Sequence, residues 1–216
     1  MRVHVAKLMM IMMCLSLSAC QTAYYSAMEK VGIHKRDILV DRVEEARDAQ
    51  VEAKETFKSA LDRFQTVLNV QRTDLQDKYD AISDEYESAN ESATEVTERI
   101  NAIEDVAEAL FEEWQDELNQ YSSRDLRIKS QSKLSSTKKK YAQLMRAMRR
   151  AESKMQPVLA ALKDQVLFLK HNLNAQAISS LKGELSTIES NVSRLVREME
   201  KSIAESEAFI AQLEKS

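Results

Sequence analysis

Residues 75–114 read LQDKYDAISDEYESANESATEVTERINAIEDVAEALFEEW. Within them Leu75, Tyr79, Ile82, Tyr86, Ala89, Ala93, Val96, Ile100, Ile103, Ala107, Leu110 and Trp114 follow one another in alternating steps of four and three. A helix turns every ~3.6 residues, so steps of four and three keep side chains on one face, and a run this long is a heptad seam seeking a partner helix. A strand, with its period of two, could not bury this set.

The same periodicity continues on either side. Upstream, a helix is predicted from Asp37, a good N-cap residue, with Leu39, Val43, Ala46, Ala53, Phe57, Leu61, Phe64 and Leu68 on its apolar face. The polar run Asn69 to Asp74 breaks the pattern, and Thr73 with Gln76 reads as a capping box for the segment that follows. That segment ends near Tyr121, where Ser122 and Asp125 offer a second capping pattern. Downstream, Leu134, Tyr141, Met145, Met148, Met155, Leu159, Leu162, Val166, Leu169 and Leu173 line another helix, with Pro157 predicting a kink inside it. Asn172 and Asn174 suggest the next turn, and Ile178, Leu181, Leu185, Ile188, Val192, Leu195, Met199, Ile203, Ile210 and Leu213 line the last segment. Short connections favour antiparallel neighbours. The expected fold is therefore all-α, an elongated antiparallel bundle of long coiled-coil-like helices, each roughly 50–70 Å long, forming a single domain over 37–216. The same seams would also let a second copy join.

Composition agrees. Of 216 residues two are Gly and one is Pro, while 31% are charged and 6% aromatic. Sheets, turns and phosphate-gripping loops all rely on Gly and Pro, so a sheet-rich enzyme fold is a poor fit. The formal net charge of −4 is small and excludes neither nucleic acid nor a membrane.

The first nineteen residues have a different character. Arg2 and Lys7 flank a positive start, and the apolar run LMMIMMCLSLS follows over residues 8–18. A bilayer-spanning helix needs roughly 20 apolar residues, so this run matches the core of a signal peptide instead. It ends in Leu17-Ser18-Ala19-Cys20, which resembles the bacterial lipobox. That resemblance implies removal of residues 1–19 and a diacylglycerol and an N-acyl chain on Cys20, with Leu17, Ser18 and Ala19 read by the signal peptidase. Several acyl chains hold a protein to a bilayer where one does so only marginally. An ordinary secretory cleavage is the rival, but Leu17 stands where such sites want a small residue. Gln21, in place of the Asp that favours inner-membrane retention in enteric-type lipoproteins, implies the outer membrane by the same resemblance. After cleavage one thiol would remain, so no internal disulfide can form. Residues 20–36 read as a lipidated tether, with Gly32 as a helix stop.

Charge is laid out in blocks. From Asp74 to Tyr121 sixteen acidic residues face only Lys78 and Arg99. From Ser122 to Met155 eleven basic residues, among them Lys138, Lys139 and Lys140, face only Asp125 and Glu152. Folded as a hairpin, the two stretches pair an acidic helix with a basic one and select partner and register. The alternative is that the basic stretch faces outward toward anionic lipid. Nucleic acid is not an expected partner for an exported, anchored protein.

No group looks poised for chemistry. His34 and His171 are far apart and neither has a second ligand at metal spacing. Gly-rich phosphate loops, nucleophile elbows, zinc-protease motifs and the Glu-x-x-His of di-iron bundles are absent from the sequence. Adjacent carboxylates such as Asp84-Glu85 and Glu112-Glu113 diverge on a helix. Trp114 continues the seam, and Met145, Met148 and Met155 read as packing, or as an adaptable groove for a partner. No enzyme, resident cofactor or metal is expected.

Several stretches carry a family resemblance: residues 106–114 (VAEALFEEW), Pro157-Val-Leu, residues 164–175 (DQVLFLKHNLNA) and residues 177–181 (AISSL). They resemble an uncharacterised family of proteobacterial lipoproteins, domain of unknown function 2959. The resemblance implies a helical envelope protein and brings no functional residues with it. Asp164 to Asn174, polar on an otherwise plain helix, is the place to look for a specific role, through His171, Asn172 and Asn174; its rival is a tightly capped interhelical turn. The expected function is a lipid-anchored envelope protein with a structural or protein-binding role in the periplasm. Its rivals are a peripheral module for anionic lipid and, far behind, an enzyme with a site between helices.

Overall fold

The computed structural model describes residues 32–69, 75–172 and 175–215, together with Tyr25 and Met28. Leu17, Ser18, Ala19 and Cys20 lie outside the described residues, as do Thr73, Leu173 and Asn174. Among the described residues the protein is an all-α bundle of four long helices: α1 (Lys35–Asn69), α2 (Leu75–Glu117), α3 (Arg124–His171) and α4 (Ala175–Glu214). A single 3-10 turn, Leu118–Gln120, follows α2. Each helix packs on two neighbours in a closed ring: α1 on α2, α2 on α3, α3 on α4 and α4 on α1.

Cross-helix contacts set direction and register. On α1 and α2, Lys35 meets Glu113 at 3.1 Å, Glu45 meets Arg99 at 3.0 Å and Thr56 meets Ser92 at 3.3 Å. One number rises as the other falls, so the pair is antiparallel. Trp114 with Ser130 and Asn101 with Arg149 show the same for α2 and α3. Gln65 with Glu189 at 2.7 Å joins α1 to α4. The α2–α3 connection therefore lies at the end where α1 begins and α4 finishes, here the proximal end. The other two connections form the distal end.

The predicted seams supply the core. Leu39, Val43, Ala46, Ala53 and Phe57 of α1 are fully buried, as are Val96, Ile100, Ile103 and Ala107 of α2. Burying a large aliphatic or aromatic side chain contributes about 1.5–3 kcal/mol. Alanines concentrate on α1 and α2, whereas Leu144, Met148, Met155, Leu162 and Leu169 fill α3. Short side chains let helices approach closely, and longer ones hold them apart.

Two boundaries differ from the sequence reading. Asp37 is not the N-cap of α1: the His34 carbonyl accepts from Asp37 N at 2.9 Å and Ile38 N at 3.1 Å, so His34 holds the cap position. Asp37 sits one turn in, where its carboxylate still faces the positive end of the helix dipole. The cap of α3 is Ser123 rather than Ser122, its hydroxyl accepting from Leu126 N. Pro157 lies inside α3, as read, and the helix continues through it. Pro157 is exposed, so its ring finds room beside the helix. At the proximal end Gly32 adopts φ +86°, and Ile33 N donates to Met28 O at 3.0 Å. This is a Schellman-type stop, which needs the left-handed conformation glycine adopts freely.

Candidate functional site

The acidic and basic blocks do meet. Arg149 of α3 reaches across to α2, donating to Asn101 at 2.7 Å and to the Glu104 carboxylate, and also to Glu152 at 2.9 Å on its own helix. One guanidinium, with its planar fork of donors, thus clamps two helices. Lys138 lies over the Phe111 ring, 5.5 Å from its centroid, beside Glu108, Glu112 and Asp116. Lys139 and Lys140 are exposed, with no carboxylate partner among the described residues. The basic stretch is therefore divided: Arg149 and Lys138 face α2, while Lys139 and Lys140 face solvent.

Phe111 packs edge-on to Tyr141 with centroids 5.3 Å apart, and Tyr141 in turn touches Phe209. Burial among these rings, reinforced by the negative charge of Glu104, pushes the Tyr141 phenol up to about 12.

At the distal end His171 closes α3 and is exposed. Asn172 caps the helix twice over, its backbone N–H donating to Leu169 O at 3.1 Å and its side-chain amide to Phe168 O at 2.9 Å. Leu167 and Phe168 beside it are exposed, unusually for large apolar residues. Phe168 borders an open cleft of about 570 Å³ between α3 and α4, with Asp164, Gln165, Ser180 and Glu184. At the proximal end Arg36, Leu110, Trp114, Lys133, Thr137 and Leu213 line a smaller cleft of about 200 Å³. The Trp114 indole N–H donates to Ser130 Oγ at 2.8 Å.

Among the described residues no group of three or more His, Cys, Asp or Glu is placed to hold a metal ion. No described helix is long and apolar enough to cross a membrane.

The sequence reading missed two kinds of residue. Gln50 and Ser202 are fully buried, and neither side chain finds a hydrogen-bond partner among the described residues. Tyr121, Leu126 and Ile128 are exposed around the α2–α3 turn. The signal for the latter was a break in rhythm: Leu126 and Ile128 are two apart, off the step of three or four that carries the seam.

The sequence profile of the family described as protein of unknown function (DUF2959) matches residues 24–213. The chain belongs to that family. No curated protein and no solved structure matches it. The match covers α1 to α3 and all but the last residue of α4 in this DUF2959 protein.

Proposed function

We propose that this DUF2959 protein is a lipid-anchored component of the bacterial cell envelope, acting in the periplasm as a non-catalytic helical rod that engages a protein partner. The observation that carries the reading is Leu17-Ser18-Ala19-Cys20 placed before a rod of helices about 50–70 Å long. The acyl chains on Cys20 hold one end at the membrane, and Gln21 favours the outer one. The rod carries recognition away from it. Its rigidity comes from seams buried along the whole length and from cross-helix clamps such as Arg149. Recognition fits best at the distal end, where Leu167 and Phe168 stay exposed beside the α3–α4 cleft. Exposed apolar side chains next to a rim of polar ones are a common feature of protein-binding surfaces.

The test is made in cells. The wild-type chain should incorporate radiolabelled fatty acid and pellet with outer membranes, and Cys20→Ala should lose both properties. Incorporation unaffected by Cys20→Ala would refute the anchor. A photo-crosslinking residue at Leu167 should trap one discrete adduct, absent when the same residue replaces Ser193 in the middle of α4. Equal labelling from both positions would refute recognition at the distal end.

A further inference from the structure

The α2–α3 turn carries chemistry that neither the core nor the clamps use. Because Lys35, the first residue of α1, pairs with Glu113, α2 beyond that level and the first turns of α3 project past the start of α1. Tyr121, Leu126 and Ile128 on this projection are 40%, 53% and 55% exposed. Ile33, just before α1, is exposed at the same end. Four of the seven large apolar side chains exposed among the described residues thus cluster at one end of a long bundle. Around them Arg124, Arg127 and Lys129, all exposed, have no carboxylate partner among the described residues; Asp125 is the one acid between them, and Asp116 and Glu117 close α2 at the base of the same projection.

We propose that this tip is a second membrane contact, seated in the interface of an anionic phospholipid bilayer on the side where the chain enters the bundle. Two features select a bilayer over a protein. Residues two apart on a helix point ~200° away from each other, so Leu126 and Ile128 face opposite sides of α3. A rigid partner docked on one face would cover one and leave the other in water, whereas a fluid interface surrounds both. The three cations match phosphate head groups, and long basic side chains let apolar neighbours sink while the charges stay at the surface. The inference deepens the envelope reading, resting on the Cys20 anchor for which membrane is met. A lipid anchor and a basic, apolar patch at one end would supply the two signals that stable attachment takes, and would orient the rod.

The test uses the full chain bearing Trp114→Phe, with Ile128→Trp as a probe at the tip or Ser193→Trp as a mid-rod control. Circular dichroism establishes that each variant is folded. The proteins are mixed with phosphatidylcholine vesicles, with or without phosphatidylglycerol, whose acyl chains carry bromine to quench nearby indoles. The tip probe should be quenched several-fold more than the mid-rod probe, on anionic vesicles only. Adding Arg124→Gln, Arg127→Gln and Lys129→Gln together should lower tip partitioning about 100-fold, and high salt should act in the same direction. A tip probe left unquenched on vesicles that bind the chain would overturn the proposal and leave the tip to a protein partner. Equal quenching on neutral and anionic vesicles would overturn the role of the cations. Repeating the assay with the chain from Gln21 onward separates the two readings: the tip should still be quenched on anionic vesicles when neither the acylated cysteine nor the apolar leader is present, and loss of quenching there would overturn an independent contact.

Discussion

Two side chains inside the bundle carry stability that their surroundings make conditional. Gln50 is 0% exposed on α1, and neither its amide nitrogen nor its oxygen has a partner among the described residues. A buried polar group left unpaired costs about 1–3 kcal/mol. Gln50→Met, which keeps the side-chain length and removes the polar atoms, should therefore raise stability in urea unfolding by up to that amount. A polar residue in an apolar seam also fixes alignment at a cost in stability, which would be a reason for such a residue to sit here. Tyr141 is the pH-sensitive counterpart. Its phenol lies at about 12 in the fold, against an ordinary value of ~10. Folding thus favours the neutral form. The contribution is fully present below pH ~10 and is lost as pH rises through about 12, because the folded state must then release a proton it holds more tightly than the unfolded chain does. Ultraviolet titration should show one late-ionising tyrosine, and Tyr141→Phe should remove both that phase and the associated alkaline loss of stability.

At the scale of the element, α3 and α4 each contain one residue that propensity alone would keep out of a helix. Pro157 cannot donate a hydrogen bond to the Ser153 carbonyl, yet α3 continues past it. Since Pro157 is exposed, Pro157→Ala leaves no hole and restores the bond, and thermal unfolding should register a gain of about 1–3 kcal/mol. Gly183 stands in the interior of α4, and a Cβ there would meet nothing within 4 Å. Gly183→Ala should add about 0.5–1 kcal/mol, through the backbone freedom glycine loses on folding. Helix boundaries were legible only in part. The helices end at Asn69 and begin at Leu75, on either side of the polar stretch, but Asp37 gave way to His34 and Ser122 to Ser123 as cap. Several residues near a helix start can accept the first N–H groups, and the approach of the preceding chain decides among them.

For the whole molecule, the ring of four packed helices accounts for the seams within one chain. Phe57, Ile100, Met148 and Leu195, one from each helix, are all fully buried. Association of two copies through the seams would have to open that core. The protein should therefore sediment as a single monomeric species whose mass does not change with concentration; a rising mass would point to a contact through exposed surfaces such as Leu167 and Phe168. The two ends of the rod have different chemistry: apolar and cationic where α3 begins at the proximal tip, apolar with the carboxylates Asp164 and Glu184 at the distal cleft. A rod of this kind is suited to connecting a membrane with a partner some distance away.

What the sequence by itself determined is the helical class, the number of long helices and most of the core, because heptad spacing is a one-dimensional record of which face each helix must bury. It also placed the acidic and basic blocks on successive antiparallel helices. Only the tertiary structure decided which of those charges serve the interior. Lys138 and Lys140 are two apart in sequence, yet one lies over Phe111 and the other faces solvent, because facing depends on helix rotation within the ring. The tip followed the same rule: Leu126 and Ile128 became a surface because α2 and α3 reach past the start of α1, a difference in helix length and register that no local pattern records.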